Sequence, residues 1–205
     1  MKALIVYGSK RGGTAGLAEM IAAEFRDHGW DAETRTGAAA EPVGDVDIVV
    51  IGGALYVNHW HRDARRFVHR HEQELADLPV WMFSSGPLDD TARAGDVAPV
   101  PQVQALARRV EAHGHMTFGG FLAKDAKGFT ARVMAKNYAG DFRDPGQVAE
   151  WVARIIHDIV PVEAIVPAQR KAPAEVAVPV QRRTPATKGA PKKSTSGRTR
   201  GAAAT

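Results

Sequence analysis

The sequence predicts an α/β domain in which a parallel β-sheet is covered by helices on both faces. Three observations carry that expectation. Apolar runs without polar alternation, within 3–7, 47–53 and 80–83, read as strands buried on both sides. Segments with helical spacing separate them, as parallel crossovers require. Each run also stops in a loop of glycines and hydroxyls: 8–14, 52–53 and 84–87.

Taken in order, the strand from Ala3 passes through the 8–14 loop into a helix whose Leu17, Ile21 and Phe25 recur four apart. Gly29 stands where a helix end takes a left-handed residue. Trp30, Ala32 and Thr34 alternate with Asp31, Glu33 and Arg35, the pattern of a half-exposed edge strand. After a loop from Gly37 to Val46, Asp47–Gly53 is the second buried strand, and Ala54–Trp60 is an apolar, aromatic loop. Arg62–Leu75 returns to helical spacing, and Pro79 precedes the third buried strand. Asp89–Val100 is loop; Pro101 opens a helix through Val103, Leu106 and Val110 that Gly114 closes. Met116–Leu122 is a further strand loosened by Gly119 and Gly120, and 123–141 fits no simple connection. Asp144, Pro145 and Gln147 form a capping box ahead of a helix with Val148, Trp151, Val152, Ile155, Ile156 and Ile159 on its apolar face.

Composition narrows the function. The 205 residues contain no cysteine, which excludes disulfides, thiolate metal sites and cysteine nucleophiles. A strand starts within three residues of Met1, so no signal peptide is expected, and no apolar run approaches the roughly 18 residues of a membrane span. A cytoplasmic protein is expected. The net charge of +4 averages two unlike pieces. Residues 1–160, a domain with a real core, carry 18 Lys/Arg against 21 Asp/Glu; residues 161–205 carry nine against two. That basic Pro/Ala/Lys/Arg-rich tail has no apolar period and is expected to be disordered.

In a parallel doubly wound sheet, ligands sit beyond the carboxyl ends of the strands, near a switch point. The 8–14 loop suits a phosphate there. A helix N-terminus offers unpaired N–H groups, Ser9 and Thr14 add hydroxyls, and Gly12 and Gly13 permit close backbone approach. The spacing excludes Gly-x-x-x-x-Gly-Lys-Ser/Thr and Gly-x-Gly-x-x-Gly. Loops 53–60 and 84–89 would converge on the same edge, adding an aromatic wall and a polar rim.

Ser9-x-x-Gly12-x-Thr14 resembles the flavodoxin loop that holds the FMN phosphate, with Arg11 where flavodoxins usually carry a third hydroxyl. Across 1–160 the chain resembles flavodoxin-fold proteins of the menaquinone-dependent protoporphyrinogen dehydrogenase type. The stretches that carry the likeness are Tyr7–Thr14, Ile51–Tyr56 with His59-Trp60, Arg66–Val68 with His71, Val80–Pro87 and Gly140–Asp144. The resemblance implies a flavodoxin-like three-layer sandwich, a five-stranded parallel sheet of order 2-1-3-4-5, and FMN. It puts the phosphate on Ser9, Lys10, Arg11, Gly12, Gly13 and Thr14, and the isoalloxazine between Ala54, Leu55, Tyr56 and Trp60 on one side and Ser84, Ser85, Gly86 and Pro87 on the other. Tyr56 or Trp60 would stack on the ring; the competing reading makes both core residues. The flavin carries the redox chemistry, so no catalytic acid or base is required.

The resemblance implies an FMN-dependent oxidoreductase with a small-molecule substrate, protoporphyrinogen, and a quinone acceptor, a haem-biosynthetic role. The alternative is a flavodoxin-type electron carrier serving partner proteins. Carriers are often acidic around the flavin, whereas these loops hold Lys10, Arg11, His59, His61 and Arg62. A phospho-acceptor receiver would need acidic residues after the first strand and an Asp after the third, and finds glycines and serines. His59-x-His61 and His69-x-His71 lack a carboxylate at a fitting offset, so no metal site is expected. Residues 124–138 or the basic tail are candidates for peripheral membrane contact, against the simpler reading of 124–138 as an insertion packed on the sheet edge. No specific nucleic acid is expected, and nothing in the sequence sets an oligomeric state.

Overall fold

The computed structural model describes residues 1–39, 41–126 and 135–160. In chain order the elements are β1 (Lys2–Gly8), α1 (Gly13–Asp27), β2 (Asp31–Thr36), β3 (Ile48–Tyr56) and β4 (His59–Trp60). They continue with α2 (Arg62–Arg70), α3 (Glu72–Ala76), β5 (Val80–Ser85), α4 (Thr91–Ala94) and α5 (Pro101–Arg109). The described part closes with β6 (Gly114–Phe118), β7 (Phe121–Leu122), β8 (Gly140–Asp141) and α6 (Pro145–Ile159). The five long strands pair in parallel in the order β2-β1-β3-β5-β6, the arrangement the resemblance implied. β4 adds a sixth strand, antiparallel to the end of β3.

The doubly buried runs explain the layering. Along β1, Leu4 and Val6 face one core while Ala3 and Ile5 face the other; β3 and β5 alternate likewise. One face packs against Leu17, Ile21 and Phe25 of α1 and Val148, Trp151 and Ile155 of α6. The opposite face takes Phe67 and Val68 of α2 and Val103 and Leu106 of α5. Helices on both sides bury both faces of the parallel sheet, the condition that makes such strands uniformly apolar.

Several boundaries differ from expectation, each for a local reason. Ala54–Trp60 is a β-hairpin rather than a loop: β3 runs on to Tyr56, and Val57 (φ 49°) and Asn58 (φ 61°) make a turn with two left-handed residues. The helix expected over Arg62–Leu75 breaks at His71, which is buried with Nδ1 2.7 Å from Glu74 Oε1. Glu74 Oε2 also accepts the Val43 amide at 2.9 Å, tying this break to the loop before β3. α5 stops at Arg109, and Gly114 instead starts β6, where a Cβ would press on the Trp81 ring. Gly29 has φ 81°, as expected of a residue ending a helix. Asp144 Oδ1 accepts the Gly146 and Gln147 amides at 2.9 and 3.3 Å, but the box is half made because the Gln147 side chain donates to the Ala92 carbonyl.

The strand expected over 116–122 ends at Phe118. At Gly119 a Cβ would overlap the Phe142 carbonyl, so only glycine lets the 140–143 segment lie against the chain there. Of the insertion at 124–138, residues 127–134 lie outside the described residues, as does the tail of 161–205. Among the described residues no helix is long and apolar enough to cross a membrane.

Candidate functional site

The strand order reverses direction between β1 and β3, and a cleft of about 110 Å³ opens beyond the carboxyl ends of β1, β3 and β5. Ser9, Arg11, Gly13 and Thr14 form its first side, Ala54, Leu55 and Tyr56 its second, and Ser85 and Gly86 its third. The register explains the convergence: Gly8 lies beside Gly53, and Ala54 beside Ser85, so the loops leave the sheet at one level.

The first side is a helix terminus. Gly12 is the N-cap of α1 with φ 81°, and no side chain caps this end. Ser9 Oγ accepts the Gly12 amide at 3.2 Å, which folds the loop back over the helix start. The first intrahelical bond is Gly16 N–H to the Gly12 carbonyl at 2.9 Å, and among the described residues the amides of Gly13, Thr14 and Ala15 have no other acceptor. Three amides aimed out of a helix N-terminus are a cradle for an oxyanion. Arg11 Nε is buried without a partner, and its guanidinium lies 5.6 Å from the Tyr56 ring centroid.

A fourth side comes from residues that the sequence analysis did not single out. Gly120, Phe121 and Leu122 line the cleft together with Leu88. The Arg143 guanidinium lies over the Phe121 ring, and a Cβ at Gly13 would come within 3.2 Å of Phe121 Cβ. The one signal available in sequence was the Gly119-Gly120 pair, which marks a close backbone approach.

Not every expected residue lines this cleft. Trp60 is 1% exposed and belongs to the α2/α5-side core, its ring against Gly53. Its Nε1 donates to Ser84 Oγ at 2.8 Å, and Ser84 Oγ lies 2.9 Å from His115 Nε2. Ser84 is thus spent beneath the sheet. Burial lowers the His115 pKa to about 4, so its ring is neutral near pH 7. Pro87 lies in an adjoining groove of about 310 Å³ with Leu55, Val57, Gly86, Val97 and Val100. Lys10 lies on the other side of Tyr56, in a basin of about 440 Å³ with His59, Trp60, His61 and Arg62. Burial, aided by Arg62, Lys10 and Arg65, lowers the His61 pKa against the opposing charge of Asp63. Among the described residues no three His, Cys, Asp or Glu side chains converge as a metal site.

A doubly wound α/β sheet whose switch-point cleft joins a helix N-terminus to an aromatic wall defines a nucleotide-type cofactor protein. The flavodoxin domain family model matches residues 4–140, and the chain belongs to that family. Membership implies FMN as the cofactor, and the amide cradle with the buried Arg11 Nε fits its phosphate. Protoporphyrinogen IX dehydrogenase [quinone] of Escherichia coli K12 is 30% identical over 111 residues, 53% of this chain and 59% of that protein. The chain thus matches less than two thirds of that relative's length. Oxidised flavodoxin 1 of Bacillus cereus superposes with a TM-score of 0.51 at 13% identity, covering 76% of this chain and 97% of that one. A flavodoxin from the Archaea gives a TM-score of 0.48 at 14% identity over 75% of this chain and 99% of that one.

Proposed function

We propose that the protein is an FMN-dependent oxidoreductase that turns over its own substrate, with protoporphyrinogen as reductant and a quinone as acceptor. The observation that carries this reading is the apolar groove of Leu55, Val57, Pro87, Val97 and Val100, which shares Leu55 and Gly86 with the cofactor cleft. The apolar macrocycle of a porphyrinogen in that groove would lie beside the cleft, against the same apolar side chains. The 30% identity to the E. coli dehydrogenase supports the substrate class.

In this reading the amides of Gly13, Thr14 and Ala15, the hydroxyls of Ser9 and Thr14, and the positive end of α1 hold the FMN phosphate. The bound flavin supplies the two-electron chemistry. Ala54, Leu55 and Tyr56 form one wall for its ring, Ser85 and Gly86 offer backbone groups to its polar edge, and Phe121 with Leu122 excludes water from the remaining side. Arg11 stays over Tyr56, fixing that ring against the cleft. His115, Ser84 and Trp60 act from beneath as a rigid hydrogen-bonded floor.

Purified protein is expected to be yellow and to release FMN, not FAD, on heating. A steady-state assay with protoporphyrinogen and a menaquinone analogue tests the reaction. Absent turnover, together with rapid reduction by a flavoprotein reductase, would replace this reading with that of an electron carrier.

A further inference from the structure

Lys10 lies in the phosphate loop by sequence, yet it does not line the cleft that the rest of that loop surrounds. It stands instead across Tyr56, in the basin that also takes in His59, Trp60, His61 and Arg62. The β-hairpin sets this geometry, because Tyr56 pairs with His59 and Leu55 with Trp60. The Trp60 amide is further anchored by Gln102 Oε1 at 3.0 Å.

The basin's chemistry is one-sided. Its six lining residues are Lys10, Arg62, His59, His61, Tyr56 and Trp60, the last with its ring turned into the core, and none is a carboxylate. The nearest acid, Asp63, is not among them and is already engaged, 3.5 Å from His61 Nδ1 and 3.4 Å from Arg62 Nε. Among the described residues no acid lies within 4 Å of Lys10 Nζ. Burial chiefly, with Arg62, Lys10 and Arg65 adding to it against the opposing charge of Asp63, lowers the His61 pKa. Two cations beside the half-buried Tyr56 suit an organic acid: ion pairing holds the carboxylate, while Tyr56 borders the part of the molecule that continues toward the cleft. Tyr56 is the shared wall, so a molecule in the basin touches the same ring that borders the cofactor cleft.

We propose that this basin is a carboxylate subsite that holds an acidic side chain of the reducing substrate and so orients its ring beside the flavin cleft. The inference rests on the oxidoreductase reading above; it moves Lys10 from the FMN phosphate, where the resemblance put it, to substrate, together with Arg62.

The test titrates the FMN-loaded protein with protoporphyrin IX, a stable dicarboxylate, and with its dimethyl ester, following visible absorbance. The acid should bind roughly tenfold tighter than the ester, the scale of two partly exposed ion pairs. In the double variant Lys10→Gln/Arg62→Gln that preference should fall to about one, while FMN affinity, read by flavin fluorescence, stays unchanged; Lys10→Arg should restore most of it. Equal binding of acid and ester, binding of neither, or a preference that survives the double variant overturns the subsite. Loss of FMN from the double variant returns Lys10 to the phosphate site and overturns it as well. Acid preference without protoporphyrinogen turnover would sink the oxidoreductase reading and leave the subsite standing; turnover without acid preference would do the reverse.

Discussion

The guanidinium of Arg143 lies over the ring of Phe121, 4.9 Å from its centroid. Phe121 pairs with Asp141 across β7 and β8, and Asp141 binds Arg143 in turn, Nε to Oδ1 at 2.8 Å and Nη2 to Oδ2 at 2.6 Å. That pairing raises the Arg143 pKa and lowers that of Asp141. Phe121 is thereby held from two directions, and it forms the fourth side of the cleft proposed to hold FMN. Arg143→Ala should loosen this wall and weaken FMN binding by about 1 kcal/mol, the scale of one cation–π contact with its hydrogen bonds. A fluorescence titration checks it; unchanged affinity would mean that Phe121 does not touch the cofactor.

Gly16 supplies an independent route to the same wall. A Cβ there would overlap Arg143 Nη1, the mobile end of a long side chain, so Gly16→Ala should displace the guanidinium without breaking α1. Helix propensity alone favours the alanine by up to about 1 kcal/mol. The expected outcome is a protein as stable as the wild type or more so, with FMN affinity reduced as in Arg143→Ala. In the double variant the two losses should not add, because both remove one contact.

How much of this was legible beforehand follows from the range of each interaction. β1, β3 and β5 announce themselves because burial on both faces leaves no polar residue in Leu4–Val6, Val49–Ile51 or Trp81–Phe83. The α1 terminus was legible from Ser9, Gly12 and Thr14, since a strand-to-helix turn is local. The hairpin was not: its turn is Val57-Asn58, and a β-branched residue at φ 49° is the opposite of the usual Asn-Gly signal. Phe121 was hidden because its partners, Asp141 and Arg143, come some twenty residues later, and the glycines that admit them show their purpose only in three dimensions. Trp60 was ambiguous for a similar reason, its Nε1 finding Ser84 on a different strand.

Thr14 is 1% exposed at the second position of α1 and lines the cleft. If its hydroxyl donates to the FMN phosphate, Thr14→Val removes a hydrogen bond to a charged group at nearly constant volume. FMN affinity should then fall by about 1–3 kcal/mol while the thermal midpoint of the cofactor-free protein stays close to wild type. Equal losses in both measurements would instead assign Thr14 a purely structural role.

His115 gives the fold a pH dependence whose sign is set by burial. Its native pKa is near 4, against 6.5 for the free side chain, so between those values the unfolded chain binds a proton that the native protein refuses. Stability from this group is therefore complete above about pH 6.5 and falls as the solution is acidified toward 4. At pH 5 the loss relative to pH 7.5 should be about 2 kcal/mol, and protonation would also disrupt the Ser84–Trp60 floor under the hairpin. His115→Gln keeps a group able to bond Ser84 Oγ but cannot titrate. Urea unfolding of the two proteins at pH 7.5 and 5 should show a gap that narrows, or reverses in favour of the glutamine variant, on acidification; parallel pH profiles would mean that His115 is protonated as readily in the native protein as in the unfolded chain.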